Sequence, residues 1–215
     1  MNGIEEYDQN IGIVILAAGA STRMGTPKQL LSYQERTLLR HTIEVAIASV
    51  CRPIVVVLGA YAQLIKSDIS QLSIHIVENL QWNEGISSSI GVGIQELKTS
   101  YPDVEAVIVT LCDQPFISTE IINQLALAYH SANQPIIACE YAETLGVPAL
   151  FSERLFCELT TLKDKEGAKQ VIKRYAQEVF RISFPEGATD IDTPENYAEL
   201  LKGDKVKIAL RTKLL

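Results

Sequence analysis

The 215-residue sequence predicts an α/β fold, with a mostly parallel central sheet and helices on both sides. Three observations carry this. Short apolar, β-branched runs alternate with longer amphipathic stretches. The run Ala106–Leu111 is apolar on both faces, as a strand in the middle of a parallel sheet must be. No repeat, linker or low-complexity stretch interrupts the alternation, so the chain reads as one domain over residues 1–215, with a core from about 11 to 201 and a C-terminal extension over 202–215.

Ile11–Ala17 is the first expected strand. Thr37–Ser49 has apolar residues at Leu38, Leu39, Ile43, Ala46 and Ile47, which is helical spacing. Pro53–Leu58 and Ile74–Val77 read as strands, and Gly91–Lys98 suits a helix. After Ala106–Leu111, Ser118–Ser131 is expected to be helical, with Ser118 or Thr119 as N-cap and Glu120 in the first turn. Pro135–Cys139 is a further strand. Gly146–Phe151 is expected to turn, or to shape a pocket. Ala168–Ala176 reads as a helix, Val179–Ile182 as a strand, and Pro194–Lys202 as a helix opened by its proline. The tail from Gly203 sets Lys205, Lys207, Arg211 and Lys213 against Asp204 and reads as a solvated terminal element.

Composition removes several function classes. With 47% hydrophobic residues the chain can build a full core. Its 19 basic and 26 acidic residues give a net charge of −7, which argues against a nucleic-acid surface. No membrane span is expected, because no run of about 18 apolar residues occurs. The polar, acidic start Met1–Asn10 is unlike a signal peptide, and a cytoplasmic protein is expected. Cys51, Cys112, Cys139 and Cys157 are widely spaced and read as reduced thiols. His41, His75 and His130 show no metal-ligand spacing.

The chemistry is concentrated where strands end. After Ile11–Ala17 the chain turns abruptly into Ala18-Gly19-Ala20-Ser21-Thr22-Arg23-Met24-Gly25-Thr26-Pro27-Lys28. Small side chains let backbone N–H groups approach phosphate oxygens. Arg23 can fork onto a phosphate, and Lys28 supplies a point charge. This is a polyphosphate loop, yet neither a P-loop nor a dinucleotide fingerprint. Five residues separate Gly19 from Gly25, and the lysine comes late. In α/β sheets ligands sit beyond the carboxyl ends of the strands, where this loop lies.

A second group, Cys112-Asp113-Gln114-Pro115, directly follows the central strand. A carboxylate there, beside a loop of phosphate donors, suits Mg²⁺, which takes one or two carboxylates plus phosphate oxygens and water. Asp192, in Asp190-Ile191-Asp192-Thr193-Pro194, is the candidate second carboxylate, with Asp190 as its substitute; the same segment also reads as a helix cap. Asn79–Ser89, with Gly85, Ser87 and Ser88, is dense in groups that could recognise a flat base. Gly146 and Pro148, and the loop Lys163–Ala168 with Asp164 and Gly167, are candidate walls of an acceptor site.

These groups, in this order, resemble the MobA-like nucleotidyltransferases over roughly Gly12–Leu201, and most closely the molybdenum cofactor cytidylyltransferase branch. The resemblance implies a three-layer, Rossmann-like nucleotidyltransferase fold. It also implies Mg²⁺-dependent transfer of CMP from CTP to the phosphate of a molybdopterin-type cofactor, with release of pyrophosphate. Arg23, Lys28 and Asp113 would be catalytic. Leu16, Ala17, Ala18, Gly19, Ser21, Arg23, Gly25, Lys28, Gly85, Ser87 and Ser88 would bind the nucleotide. Asp113 and Asp192 would hold the metal, and Gln114, Pro115, Gly146, Pro148 and Gly167 would meet the acceptor. Ala17-Ala18 stands where guanylyl-transferring relatives have alanine-glycine, which favours cytidine. A molybdenum hydroxylase or its maturation factor is the implied partner. Three other readings stay open: a sugar- or polyol-phosphate acceptor, a family-related oxidoreductase, and a non-catalytic cofactor carrier.

Overall fold

The computed structural model describes residues 8, 10–163 and 166–212, the last nine as backbone only. Asp164 and Lys213 lie outside the described residues, as do most of the acidic start and the side chains of Asp204, Lys205, Lys207 and Arg211.

In chain order the elements are β1 (Ile11–Ala17), a short hairpin of β2 (Ser32–Tyr33) and β3 (Arg36–Thr37), α1 (Leu38–Ala48), β4 (Ile54–Leu58), α2 (Ala62–Ile69) and β5 (His75–Glu78). Then come α3 (Ile86–Ser100), β6 (Ala106–Leu111), α4 (Thr119–Ala132), β7 (Ile136–Tyr141), β8 (Thr144–Ser152), α5 (Phe156–Thr160), α6 (Ala168–Arg174), β9 (Val179–Ser183) and α7 (Pro194–Thr212). The large sheet has seven strands in the order β5-β4-β1-β6-β8-β7-β9. Every pairing in it is parallel except those of β8, which runs antiparallel to both β6 and β7.

Alternate residues of β1 serve the two layers of helices, as strand geometry dictates. Ile11, Ile13 and Ile15 pack with Leu39 and Ile43 of α1, Ile65 and Ile69 of α2, and Ile122 and Leu125 of α4. Val14 and Leu16 pack with Ile90 and Ile94 of α3, Phe156 and Leu159 of α5, and Val171 and Ile172 of α6. Each such side chain, fully buried, contributes about 1.5–3 kcal/mol of transfer free energy. That contribution fixes the strand ends against which the loops are built.

The chain runs from β1 outward through β4 to β5, then returns to the other side of β1 as β6. Strand order therefore reverses between β1 and β6. The loops at their carboxyl ends diverge there and open a crevice. A third, smaller cluster sits beside it: Met24, Tyr33, Leu38, Ile191 and Leu200. It ties the loop after β1, the hairpin and the start of α7 together.

Three expectations are corrected. Gly146–Phe151 is not a turn but most of β8. Its outer half, Ala149–Phe151, pairs with Val107–Val109 at the centre of the sheet. Against β7 the register jumps from Ala138↔Ala149 to Cys139↔Gly146, so Val147 and Pro148 form a bulge where proline's missing N–H costs no ladder bond. The third helix begins at Ile86 rather than Gly91, which puts Ser87–Ser89 in its first turn. The last helix runs past Lys202 to Thr212, so the extension continues α7. The hairpin, α2 and α5 were not anticipated, each being too short to show a clear period.

Candidate active site

The loop after β1 closes over a cleft of about 360 Å³ at the β1–β6 edge. Leu16 to Thr22, Lys28 and Gln29 line one bank; Trp82, Asn83, Gly85, Ile86 and Ser89 line another; Leu111, Cys112 and Asp113 close the end. Lys28 and Asp113, predicted from segments 85 residues apart, share this cleft.

Lys28 is the hub. Its Nζ lies 2.5 Å from Asp113 Oδ2 and 2.9 Å from Asp192 Oδ1, while Arg23 Nη2 lies 2.8 Å from Asp192 Oδ2. The side chains of Lys28 and Asp113 are only 16% and 14% exposed, whereas that of Arg23 is 70% exposed. Burial alone acts to lower the Lys28 ammonium, but the charges and hydrogen bonds of Asp113 and Asp192 outweigh it and hold the pKa well above its ordinary value. Asp192 mirrors this: burial acts to raise its carboxyl, and Lys28 and Arg23 keep it below the usual carboxylate range. Asp190 differs. Burial of its carboxyl and the charges of Asp113 and Asp192 push it up to about 6.

Backbone bonds bring these groups together. Ile191 N–H donates to the Asp113 carbonyl at 3.0 Å, which docks the segment before α7 against the turn after β6. Thr193 is the N-cap of α7: its Oγ1 accepts from Asn196 N–H at 3.3 Å, and Asn196 Oδ1 accepts from Thr193 N–H at 3.2 Å. The cap is thus formed by Thr193, and the carboxylate of Asp192 is left to the cations.

The loop itself rests on a residue the sequence did not single out. Gln29, 1% exposed, donates from Nε2 to the carbonyls of Ala17 (2.8 Å) and Gly19 (2.9 Å). Ser21 adopts a left-handed backbone (φ 52°), and its hydroxyl donates to Gln29 Oε1 at 3.3 Å and accepts from Lys28 N–H at 3.1 Å. An amide following a lysine carries no recognisable pattern, and only the folded loop reveals its use. Gly59, after β4, is a second unheralded position. A Cβ there would come within 2.6 Å of the Ala18 carbonyl and 2.7 Å of Trp82 Cβ, so the two banks can meet only over a glycine.

The remaining expected residues are placed as follows. Gly25 (φ 73°) ends the loop, and its N–H donates to the Ser21 carbonyl. Gly85, at φ 116° and ψ −178°, stands at the N-cap of α3 in a region open essentially to glycine alone. Ser87 and Ser88 lie outside the cleft and line a neighbouring groove along α3. The single O–H of Ser88 is shared between the carbonyls of Gly85 (2.8 Å) and Gln81 (3.0 Å), and its oxygen accepts from Asn79 Nδ2 at 2.8 Å. Gln114, 2% exposed, bridges the carbonyls of Val147 and Gly187 at 3.1 Å each, beside Pro115 in the turn after β6. Gly146 makes room for Tyr141, whose hydroxyl donates to the Val147 carbonyl at 2.9 Å, and Pro148 follows in the bulge. Gly167 is the N-cap of α6, and its Cα side abuts Ile86 in the cleft wall.

Whether these residues suit a divalent cation can be judged from their oxygens. Asp113 Oδ1 is buried and has no hydrogen-bond partner, while Asp113 Oδ2 and Asp192 Oδ1 converge on the single ammonium of Lys28. A free carboxylate oxygen plus a second carboxylate within reach of one cation fits Mg²⁺, whose other ligands are phosphates and water. Among the described residues no group of three or more His, Cys, Asp or Glu side chains could hold a metal alone. The thiols of Cys51, Cys112 and Cys139 are free and buried, and that of Cys157 is free and exposed. No helix of the described residues is long and apolar enough to cross a membrane.

Comparison with known proteins gives the family. Residues 13–179 match the MobA-like NTP transferase domain. The chain is 30% identical over 202 residues to the nicotine blue oxidoreductase of Paenarthrobacter nicotinovorans, covering 87% of this chain and 95% of that protein. It is 24% identical over 188 residues to the molybdenum cofactor cytidylyltransferase of Escherichia coli, covering 87% and 93%. Among solved structures it is similar to Rv0371c of Mycobacterium tuberculosis in complex with manganese, with a TM-score of 0.73, 26% identity, and 90% and 98% of the two chains covered. The chain belongs to the family of MobA-like NTP transferase domains.

Proposed function

We propose that this nucleotidyltransferase-family protein moves CMP from CTP to the phosphate of a molybdopterin-type molybdenum cofactor and releases pyrophosphate. The observation that carries the proposal is Lys28 Nζ held between Asp113 and Asp192 at the lip of a small-residue loop. Buried cation, paired carboxylates and free loop N–H groups are what a triphosphate and a divalent ion require.

Transfer proceeds by in-line attack of an acceptor phosphate oxygen on the α-phosphorus; the bond to the bridging oxygen breaks, and pyrophosphate leaves. An acceptor monoester is already mostly ionised at neutral pH, so the protein needs no general base. Its work is positioning and charge balance. The backbone of Ala18–Gly25 receives the β- and γ-phosphates, and Lys28 and Arg23 offset the charge that grows on the leaving group. Asp113 and Asp192 would hold Mg²⁺, which supplies positive charge beside the phosphates. The nucleoside end is assigned to the bank of Trp82, Gly85 and Ser89, with Ser87 and Ser88 behind it. Ala17-Ala18, where guanylyl-transferring relatives have alanine-glycine, supports cytidine over guanosine. The acceptor side is assigned to Gln114, Pro115, Gly146, Pro148 and Gly167. Gln114 and Gly146 act there by shaping walls, since their atoms are engaged internally.

The relative named molybdenum cofactor cytidylyltransferase supports this choice of acceptor and base. The deciding measurement is pyrophosphate release with each of the four ribonucleoside triphosphates and Mg²⁺, using molybdopterin-type and sugar-phosphate acceptors in parallel. CTP with the molybdopterin acceptor is expected to give the highest kcat/KM. Release only with a sugar phosphate, or with no acceptor at all, would overturn the assignment.

A further inference from the structure

We infer that Gln29 is a positioning residue that aims the phosphate-facing N–H groups of the loop and, through its chain neighbour, Lys28; the inference rests on the transferase reading above. A trans peptide sets its C=O and N–H in opposite directions. Gln29 Nε2 holds the Gly19 carbonyl at 2.9 Å, so the N–H of Ala20 points away from Gln29. The Ala18 carbonyl is held from the other side by Ala60 N–H at 3.0 Å, so the N–H of Gly19 points away from β4. Neither N–H donates to any group among the described residues. Two consecutive free donors in a turn form a concavity for an anion.

The same amide reaches the lysine. Gln29 follows Lys28 in a single turn of 3₁₀ helix, Lys28–Leu30, and its Oε1 accepts from the Ser21 hydroxyl that in turn accepts from Lys28 N–H. Donors and acceptor of the Gln29 amide are all used, and all on the loop. The residue lies in the cleft wall but is 1% exposed, and its amide serves the ligand through what it holds. Losing it would leave the carbonyls of Ala17 and Gly19 without their side-chain partner and let their peptides rotate, which swings donors out of the anion site while leaving the nucleoside bank untouched.

The test compares Gln29→Met, which keeps length without donors, with Gln29→Glu, which keeps shape but sets a carboxylate against two carbonyl oxygens. Wild type and variants are titrated calorimetrically with inorganic pyrophosphate plus Mg²⁺ and, separately, with cytidine, and steady-state kinetics are recorded with CTP. Both variants are expected to weaken pyrophosphate binding by about tenfold or more, as loss of two hydrogen bonds implies. KM for CTP should rise in step, cytidine affinity should hold, and Gln29→Glu should not rescue. A merely structural role would lower thermal stability and leave pyrophosphate and cytidine affinities of the folded fraction unchanged, and that result overturns the inference. Should both variants fail to fold, Ser21→Ala removes the Oε1 link together with the acceptor for Lys28 N–H; it is expected to weaken pyrophosphate by about threefold, and wild-type affinity would overturn the inference. Wild-type protein that ignores pyrophosphate would instead overturn the transferase reading itself.

Discussion

The loop after β1 and the segment before α3 both line the cleft, and they use their polar groups in opposite ways. In the first, one buried amide ties down the carbonyls, and the N–H groups, Arg23 and Lys28 are left facing charge. In the second, the polar side chains bind one another. Asn79, 1% exposed, donates to Ser88 Oγ (2.8 Å) and Ser89 Oγ (3.0 Å) and accepts from Gln81 N–H (2.9 Å). The lesson is that density of hydrogen-bonding residues is a poor guide to ligand contact. What matters is which groups remain unspent after the loop has folded.

The largest effects should come from the charged side. Asp113→Ala removes the carboxylate with the free buried oxygen and leaves Lys28 a single partner, Asp192. Metal-dependent pyrophosphate release is expected to fall to background, and full activity would take Asp113 out of the metal site. Lys28→Ala should lower kcat by about 10²-fold or more, the usual loss for one charge-stabilising donor. Its KM for CTP should move less than its kcat, because the growing charge on pyrophosphate is greatest in the transition state. A wild-type kcat would end that role.

Substitutions in the other segment should instead register as stability. Asn79→Ala takes a donor from the buried Ser89 hydroxyl and from the half-buried Ser88 hydroxyl, and an acceptor from Gln81 N–H, at a cost of about 1–3 kcal/mol. For a chain of 215 residues each kcal/mol lowers Tm by about 2–4 °C. Ser88→Ala should cost less, about 1 kcal/mol, since its neighbours keep other bonds. Differential scanning calorimetry paired with CTP kinetics checks the contrast. A Ser88→Ala enzyme with unchanged Tm and a tenfold loss in kcat/KM for CTP would break it, and would return Ser88 to direct nucleotide contact.

The sequence was legible where residue type alone determined the outcome. Ile11–Ala17 is an apolar run and Ala106–Leu111 is apolar but for Thr110, and they form the paired strands that deliver the loop and Asp113 to one edge. Proximity of Lys28 to Asp113 followed from that rule of sheet topology, and Asp192 was a candidate for the same cluster from its place between an expected strand and the helix opened by Pro194. What was hidden depends on tertiary accounting. The strand β8 was masked by Gly146 and Pro148, both poor strand residues, because nothing local announces a bulge that tolerates them. Gln29 was masked because its partners lie 8 to 12 residues back, across a loop whose path the sequence does not state. Ser87 and Ser88 were conspicuous by composition, but a helix that starts at Ile86 carries them behind the cleft.

The smallest predicted effect concerns the acid that the cations do not hold. Asp190 is raised to about 6 from an ordinary 3.8, first by burial of its carboxyl and then by the charges of Asp113 and Asp192. A carboxyl whose folded pKa lies above its unfolded value favours the folded state while protonated. That contribution is complete below about pH 4 and is lost as pH rises through 6. Replacing it with a neutral isostere removes the dependence. Asp190→Asn should match wild type in Tm near pH 4 and exceed it above pH 6. The carboxyl is partly buried but the residue as a whole is open to solvent, so screening keeps the gain well under about 1 kcal/mol, a shift of one or two degrees at most. A variant less stable than wild type at pH 7 would mean that the ionised carboxylate is held by a favourable partner. The negative charge gathered around Lys28 would then be balanced more completely than the three aspartates, one lysine and one arginine indicate.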